Sequence, residues 1–372
     1  MSTKYAYSPI IVSICEFSEI RKTRIPISPP SSHGQDLFPV FNETWYKGLR
    51  HAIVPVLLKD ANRLIGMGTA FHVDGWGTFL TADHVIDAAR KHVRPSTNSE
   101  EVNFLYEGSD IYPILLLGIR GVVFGRFKIP DKALASVASI HSHLRKRDDP
   151  LADLRGEQEF EAVSDIAIMR LADKIPTDMI GTVPIRLSGW NPKIGETVIA
   201  FGFPDLKCEP INEERLQYFL SDGMSASYGR IIALHPEGRG NSTPIIEVEA
   251  NWPSGMSGGP VFNKDGEVIG IVSRSVGAID NEKGNGCAVH FELIPWINVL
   301  IPSLDKINPG WRLSWAVQNK ITKIPEYFFK EKEDAITHQI SLGGSYQVVF
   351  GSNRIGSNDF IILDDCSYQN TI

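Results

Sequence analysis

Asn251-Trp252-Pro253-Ser254-Gly255-Met256-Ser257-Gly258-Gly259-Pro260-Val261-Phe262 is the stretch from which this chain is best read. A serine set between glycines on a turn is open to a carbonyl carbon. The glycines let the backbone N–H groups of Gly255 and Ser257 converge on the oxyanion that attack creates. Taken alone, the segment reads equally well as a glycine-rich hairpin entry, and a lone serine is a poor nucleophile without a base. Gly77-Thr78-Phe79-Leu80-Thr81-Ala82-Asp83-His84-Val85 offers a base in His84, where an apolar strand ends. The chain has ten histidines, and most lone histidines are structural or surface residues. Ser164-Asp165-Ile166-Ala167-Ile168-Met169-Arg170-Leu171 adds an aspartate at the mouth of a second apolar strand, where it could equally be an exposed strand cap. All three together, in the order His, Asp, Ser, are far less common by accident than any one of them.

The surroundings of these segments predict a mainly β protein. Short β-like runs bounded by turn residues cover 51–58, 64–73, 78–81, 102–106, 114–127 and 166–171. A second group covers 183–187, 197–202, 226–233, 245–250, 260–262, 267–273 and 286–291. Two groups of about six strands suggest two six-stranded antiparallel β-barrels in series. Helix signals are few: one is Lys132 to Arg147, where Leu134, Val137, His141 and Leu144 recur on one face, and a second runs from Ile294 to about Leu300. The expected organisation is an N-terminal extension over 1–45, a first barrel over 46–175 with a helical insertion near 130–147, and a second barrel with a closing helix over 176–302. A C-terminal extension follows over 303–372. In that tail, 311–335 is mixed and could hold a helix, while 339–350 and 359–363 read as strands, and the whole is expected to pack onto the rest.

Composition narrows the function classes. The chain has 372 residues, 42% hydrophobic and 22% charged, with a net charge of −7. This is ordinary globular composition, and the charge disfavours a polyanion-binding role, so no nucleic-acid partner is expected. The longest nearly apolar stretch, 111–125, is broken by Pro113 and Arg120, so no membrane span and no membrane partner are expected. Cys15, Cys208, Cys287 and Cys366 stand far apart with no C-x-x-C pair, which predicts reduced thiols in a cytoplasm. His141 and His143, two apart on an expected helix, would lie on different sides of it. No metal and no cofactor are expected.

The Thr-Ala-x-His-Val, Asp-Ile-Ala-Ile and Gly-x-Ser-Gly-Gly-Pro segments resemble those of trypsin-like serine peptidases of the chymotrypsin fold. The closer likeness is to the bacterial Deg-type group. Gly68-Thr69-Ala70-Phe71 resembles the strand before the histidine, and Gly195 to Pro204 and Tyr228 to Ile232 resemble strands of the second barrel. The resemblance covers about residues 50–300. It implies His84 as general base, Asp165 as its orienter and Ser257 as nucleophile, with the Gly255 and Ser257 amides as oxyanion hole. It also places Asn251 at the floor of the primary specificity pocket and the strand through Ser273, Arg274 and Ser275 beside the bound peptide. A neutral floor implies a small or medium uncharged P1 residue.

Three departures stand out. His84 and Asp165 are 81 residues apart, longer than is usual in the Deg-type group, and the expected helix over 132–147 with its flanks accounts for the excess. Met256 occupies a position where an acidic or amide residue is common, which removes activation through a salt bridge at that side chain. No PDZ domain is recognisable after the peptidase. A regulatory protein partner is therefore expected to act through the terminal extensions or the 130s helix. Two other functions compete with peptide hydrolysis. One is a catalytically silent scaffold that binds proteins. The other is an α/β-hydrolase esterase, because Gly255-Met256-Ser257-Gly258-Gly259 also fits G-x-S-x-G. The elbow needs a helix after the serine and a histidine last in chain order, and neither is expected here. Asp83 is set aside as His84's partner, since sequence neighbours point apart.

Overall fold

The structure, a computed structural model, describes residues 7–9, 51–60, 63–90, 95–96, 101–105, 111–116, 127–128, 133–146, 160–172, 181–187, 189–204, 206–212, 215–221, 224–238, 244–250, 252–276, 285–294, 311–354 and 357–362. After a short N-terminal strand β1 (Tyr7–Pro9), the chain builds two rings of antiparallel strands. The first uses β2 (Ile53–Asp60), β3 (Arg63–His72), β4 (Thr78–Thr81), β7 (Ile111–Leu116), β9 (Leu134–Lys146) and β10 (Phe160–Leu171). They pair in the order β10-β4-β3-β2-β7-β9, and β9 pairs again with β10 to close the ring. The short strands β5 (Pro95–Ser96) and β6 (Glu101–Leu105) attach outside it, β6 on β9.

The second ring uses β11 (Thr197–Gly202), β14 (Ser225–His235), β15 (Ile245–Glu249), β16 (Pro260–Phe262), β17 (Val268–Val276) and β18 (Asn285–His290). It runs β14-β11-β16-β17-β18-β15 and closes where β15 pairs with β14, while β1 adds to the start of β14. Two six-stranded antiparallel barrels are thus present. A small sheet outside the rings combines β8 (Phe127–Lys128) with β12 (Lys207–Asn212) and β13 (Arg215–Ser221).

Burial explains why strands such as β11 read as continuous apolar runs rather than alternating ones. Ile199 and Phe201 pack into a large cluster that draws on both barrels, whereas Val198 and Ala200 pack into a second cluster with Val248, Met256 and Val261. A strand covered on both faces has no polar side to mark its period. Phe71, Phe79, Phe201, Phe262 and Phe291 are fully buried, each contributing about 1.5–3 kcal/mol by area.

The expected helix over 132–147 is a strand. In β9 the buried residues are Val137, Ile140, Ser142 and Leu144. The last three alternate as a strand requires. The interval of three between Val137 and Ile140, which imitates a helical repeat, comes from a β-bulge. Arg170 pairs with Ser139 but Leu171 pairs with Val137, so one extra residue of β9 is inserted there. Because β9 is a wall of the barrel, it is not the insertion that lengthens the His84 to Asp165 interval; β5, β6 and β8 fall in that interval instead. His141 and His143 consequently share a face of a strand rather than flanking a helix. Residues 295–300 of the other expected helix lie outside the described residues, and Phe291–Leu293 forms a single 3₁₀ turn. Among the described residues, the expected strand over 183–187 makes a single bridge, Ile185 to Val268.

In the tail, β19 (Trp311–Asn319), β20 (Pro325–Phe329), β21 (Tyr346–Arg354) and β22 (Phe360–Ile362) form a sheet in the order β20-β19-β21-β22. A helix, Lys332–Leu342, packs Ala335 against Trp315 and Phe350. The expected strand from 339 therefore begins only at Tyr346. Gly343, at φ 90°, closes the helix by donating to the carbonyls of Gln339 and Ile340. This sheet meets the β3–β4 turn: Trp76 Nε1 donates to the Leu313 carbonyl at 2.8 Å, and the Arg312 guanidinium lies 3.8 Å above the Trp76 ring.

One buried side chain makes the fold sensitive to acid. His290 is 1% exposed, stacks on Trp190, and has no hydrogen-bond partner for either ring nitrogen among the described residues. Burial pushes its pKa down from 6.5 to about 4. As pH falls from 6.5 toward 4 the unfolded chain takes up a proton that the folded chain refuses, so stability is lost across that window, by about 2 kcal/mol at pH 5. Urea unfolding at pH 7.5 and pH 5 is expected to show His290→Phe losing correspondingly less stability than the parent. Equal losses in the two proteins would exclude His290 as the source.

Candidate active site

β4 is buried along its length and delivers the chain into the 3₁₀ turn Asp83–Ile86. Val85 and Ile86 plug into the core, which leaves His84 facing outward with 43% of its side chain exposed. Its partner comes from β10. Ala162 pairs with Leu144, and the next pairing is Ala167 with Ser142, so several residues bulge out of the ladder between them. Asp165 sits in that bulge, and the irregularity re-aims its side chain across to the His84 turn. His84 Nδ1 lies 3.0 and 2.9 Å from Asp165 Oδ1 and Oδ2, and the His84 backbone N–H donates to Oδ1 at 3.0 Å. Asp83, buried, is not the group that holds the imidazole.

Electrostatics follow from this contact. Burial alone pushes the His84 pKa down, but the hydrogen bond and charge of Asp165, assisted by Asp87 and Asp83, outweigh it and the value is raised above 6.5. For Asp165, burial acts upward and is outweighed by the bonds and charge from His84 and by the Ser273 hydroxyl, so its carboxyl is held below the usual range. The Ser273 hydroxyl donates to Asp165 Oδ2.

Ser257 lies on the turn between β15 and β16. Its hydroxyl donates to the Ser273 carbonyl at 2.9 Å. Ser273 therefore touches two of the three residues singled out in the sequence: its side chain holds Asp165 and its backbone holds Ser257. The sequence placed Ser273 only beside a substrate; the structure buries its side chain, 5% exposed, against Asp165. The glycines around Ser257 are dictated by close approach. A Cβ on Gly258, at φ 84°, would stand 2.1 Å from the Thr69 carbonyl oxygen, and one on Gly259 would stand 2.0 Å from that of Phe201. The Gly255 and Ser257 amides have no hydrogen-bond partner among the described residues, and the Gly255 carbonyl is turned away to accept from Thr69 Oγ1 at 2.7 Å.

The remaining candidates divide. Arg274 is half-buried, and exposed Ser275 donates to the Trp252 carbonyl. Trp252 packs its ring on Gly286, the residue paired with Ser275. Asn251 lies outside the described residues. Met256 is fully buried in the second barrel's cluster, which is what an apolar side chain does at that position. Beyond Ser257 the chain enters strand β16 rather than a helix, which removes the esterase elbow. Among the described residues no group of three or more His, Cys, Asp or Glu is placed to hold a metal, and no helix is long and apolar enough to cross a membrane.

Residues 68–271 match the family model described as a trypsin-like peptidase domain. This chain belongs to that family. Among trypsin-like peptidases it is similar to a probable periplasmic serine endoprotease, DegP-like, of Pseudomonas fulva, with 26% identity over 193 residues, covering 50% of this chain and 36% of the relative. It is also similar to the serine endoprotease DegS of Haemophilus influenzae, with 28% identity over 150 residues, covering 38% of this chain and 39% of that one. A solved Mycobacterium tuberculosis protease in its active form covers 77% of this chain and 96% of its own length at 14% identity and a TM-score of 0.39. The chain thus spans less than half the length of these curated relatives. The Deg-type resemblance is borne out. The relatives' names, several of them periplasmic, lend no support to the cytoplasmic expectation.

Proposed function

We propose that this chain is a serine endopeptidase that cleaves protein or peptide substrates through Ser257, His84 and Asp165. The observation that carries the reading is the paired contact of His84 with Asp165 beside a glycine turn that Ser273 links to it, whose two amides have no hydrogen-bond partner among the described residues. Donation of Nδ1–H to Asp165 leaves Nε2 of His84 free to act as a base. In the resting arrangement the Ser257 hydroxyl is engaged by the Ser273 carbonyl, so the proposed reaction requires it to leave that bond and turn to His84. Its oxygen then attacks the scissile carbonyl carbon as Nε2 takes the proton, and the oxyanion meets the amides of Gly255 and Ser257. The carbon–nitrogen bond breaks as the amine leaves with that proton. Water, deprotonated by His84, releases the acyl group.

The substrate path is supported by strand pairing. β16 pairs with β17 only as far as Ile271, while β18 continues to pair with it through Val276. Residues 273–276 therefore keep one edge without a strand partner among the described residues, next to Ser257, and an extended peptide can add there. The neutral Asn251, which the resemblance places at the floor of the primary pocket, supports an uncharged P1 residue of small or medium size. Residues 46–175 and 176–302 are proposed as the two barrel units, flanked by 1–45 and 303–372.

A fluorophosphonate probe is expected to label Ser257, with no label in Ser257→Ala. Labelling should rise with pH through a midpoint above 6.5, because the neutral form of His84 is the active one and Asp165 raises its pKa. A parent protein that never labels would replace the enzyme reading with a protein-binding scaffold. A midpoint below 6.5 would mean that burial outweighs Asp165 at His84, and labelling that does not change with pH would exclude His84 as the base.

A further inference from the structure

We infer that Thr69, on β3 of the first barrel, is a positioning residue that sets the oxyanion site on the turn belonging to the second. This rests on the serine endopeptidase reading and deepens it. Thr69 is fully buried, and all its polar groups are committed. Its backbone N–H donates to the Ser257 carbonyl at 2.8 Å, and its hydroxyl donates to the Gly255 carbonyl at 2.7 Å. The same hydroxyl accepts from the Phe203 N–H at 2.9 Å, and the Thr69 carbonyl accepts from the Thr81 hydroxyl at 2.7 Å. One residue thus holds the Gly255 and Ser257 carbonyls of the turn and ties them to β4, the strand that runs to His84.

The consequence lies in the peptide planes. The plane between Gly255 and Met256 is held at one end by the Thr69 hydroxyl and at the other by the Met256 N–H donating to the Pro253 carbonyl at 3.2 Å. The plane after Ser257 is held by Thr69 N–H and by the Gly258 N–H donating to the Val272 carbonyl at 2.8 Å. The two amides proposed to meet the oxyanion, on Gly255 and Ser257, lie on either side of the first plane. Gly255, at φ 91°, has no Cβ to resist rotation. Without the hydroxyl, that plane loses its fixed end and the Gly255 N–H loses its aim. The Ser257 amide, whose plane is held by the Met256 carbonyl accepting from the Gly259 N–H at 2.9 Å, keeps its own. Removing an oxyanion donor outright costs about 10²–10³ in kcat, and misdirecting one is expected to cost about 10- to 100-fold.

The test compares the parent with Thr69→Val, Thr69→Ser and Thr69→Cys in peptide hydrolysis and fluorophosphonate labelling. Thr69→Val is expected to lower kcat by about 10- to 100-fold with KM changed by no more than about twofold, since the oxyanion exists only beyond the ground state. Thr69→Ser should restore most of the rate, and Thr69→Cys, a weak donor, should fall between. The pH midpoint should stay that of the parent, because His84 and Asp165 are untouched. Parent kcat in a folded Thr69→Val variant, a loss confined to KM, or no recovery in Thr69→Ser would each overturn the inference. If Thr69→Val does not fold, Thr69→Cys decides alone, and parent kcat in it overturns the inference. A parent protein that neither labels nor cleaves brings down the peptidase reading itself, a result distinct from any of these.

Discussion

Ser257→Ala is expected to lower kcat for peptide hydrolysis by about 10⁶-fold, and His84→Ala by about the same, with the double variant little worse than either single. The near-equality follows from the roles proposed. A nucleophile without its base, and a base without its nucleophile, leave the same residual machinery: the Gly255 and Ser257 amides and the open edge of β17. That residue of the site still binds and polarises a carbonyl, so a rate about 10³-fold above that in water is expected to survive. The folded state should change little in His84→Ala, because the imidazole is 43% exposed and its neighbours Val85 and Ile86 carry the packing of the turn. Steady-state kinetics on a peptide pool, with urea midpoints as control, measures this. Losses of less than about 100-fold in both variants would sink the assignment.

Asp165→Asn carries the second large effect, a fall in kcat of about 10⁴-fold. The carboxylate serves three donors at once, the Nδ1–H and backbone N–H of His84 and the hydroxyl of Ser273. An amide offers one oxygen. If that oxygen faces His84, its NH₂ faces the Ser273 hydroxyl, which can rotate to accept; if the amide is reversed, His84 is driven to the wrong tautomer. In either orientation the negative charge that stabilises the imidazolium is gone. The pH midpoint should therefore fall along with the rate, since the charge that raises the His84 pKa has been removed. Ser273→Ala should be far milder, because Asp165 keeps both bonds to His84 and the Ser273 carbonyl is unchanged. A pH–rate profile for the three proteins separates these contributions, and an Asp165→Asn rate within tenfold of the parent would remove Asp165 from the mechanism.

Much of the fold is legible in the sequence where short strands end at strong turn signals. Thr78–Thr81, Thr197–Gly202 and Pro260–Phe262 have the same limits in the sequence reading and in the structure. The barrels were legible for the same reason. The failure at 132–147 has a local cause, a bulge that puts Val137 and Ile140 on one side of a strand and so mimics a helix. The tail misled for a related reason: Gln339-Ile340-Ser341-Leu342 alternates like a strand, yet it closes a helix that leaves Ile340 70% exposed. At the site, the pairing of His84 with Asp165 was implied by the resemblance of their segments to those of trypsin-like peptidases. What Ser273 and Thr69 do was not, since each acts through contacts with residues more than a hundred positions away.

Those long-range contacts bear on how such an enzyme is made. The proposed base and its orienter are on the barrel that leaves the ribosome first, while the nucleophile turn comes later and is gripped by Thr69 only when the second barrel has docked. A nascent or truncated chain that ends within β15 would carry a histidine and an aspartate but no reactive serine. Even the full turn would be unshaped until β17 brings the Val272 and Ser273 carbonyls to Gly258 and Ser257. Hydrolytic competence would thus arrive late in synthesis, after the molecule most exposed to self-cleavage, its own unfolded chain, has been put away.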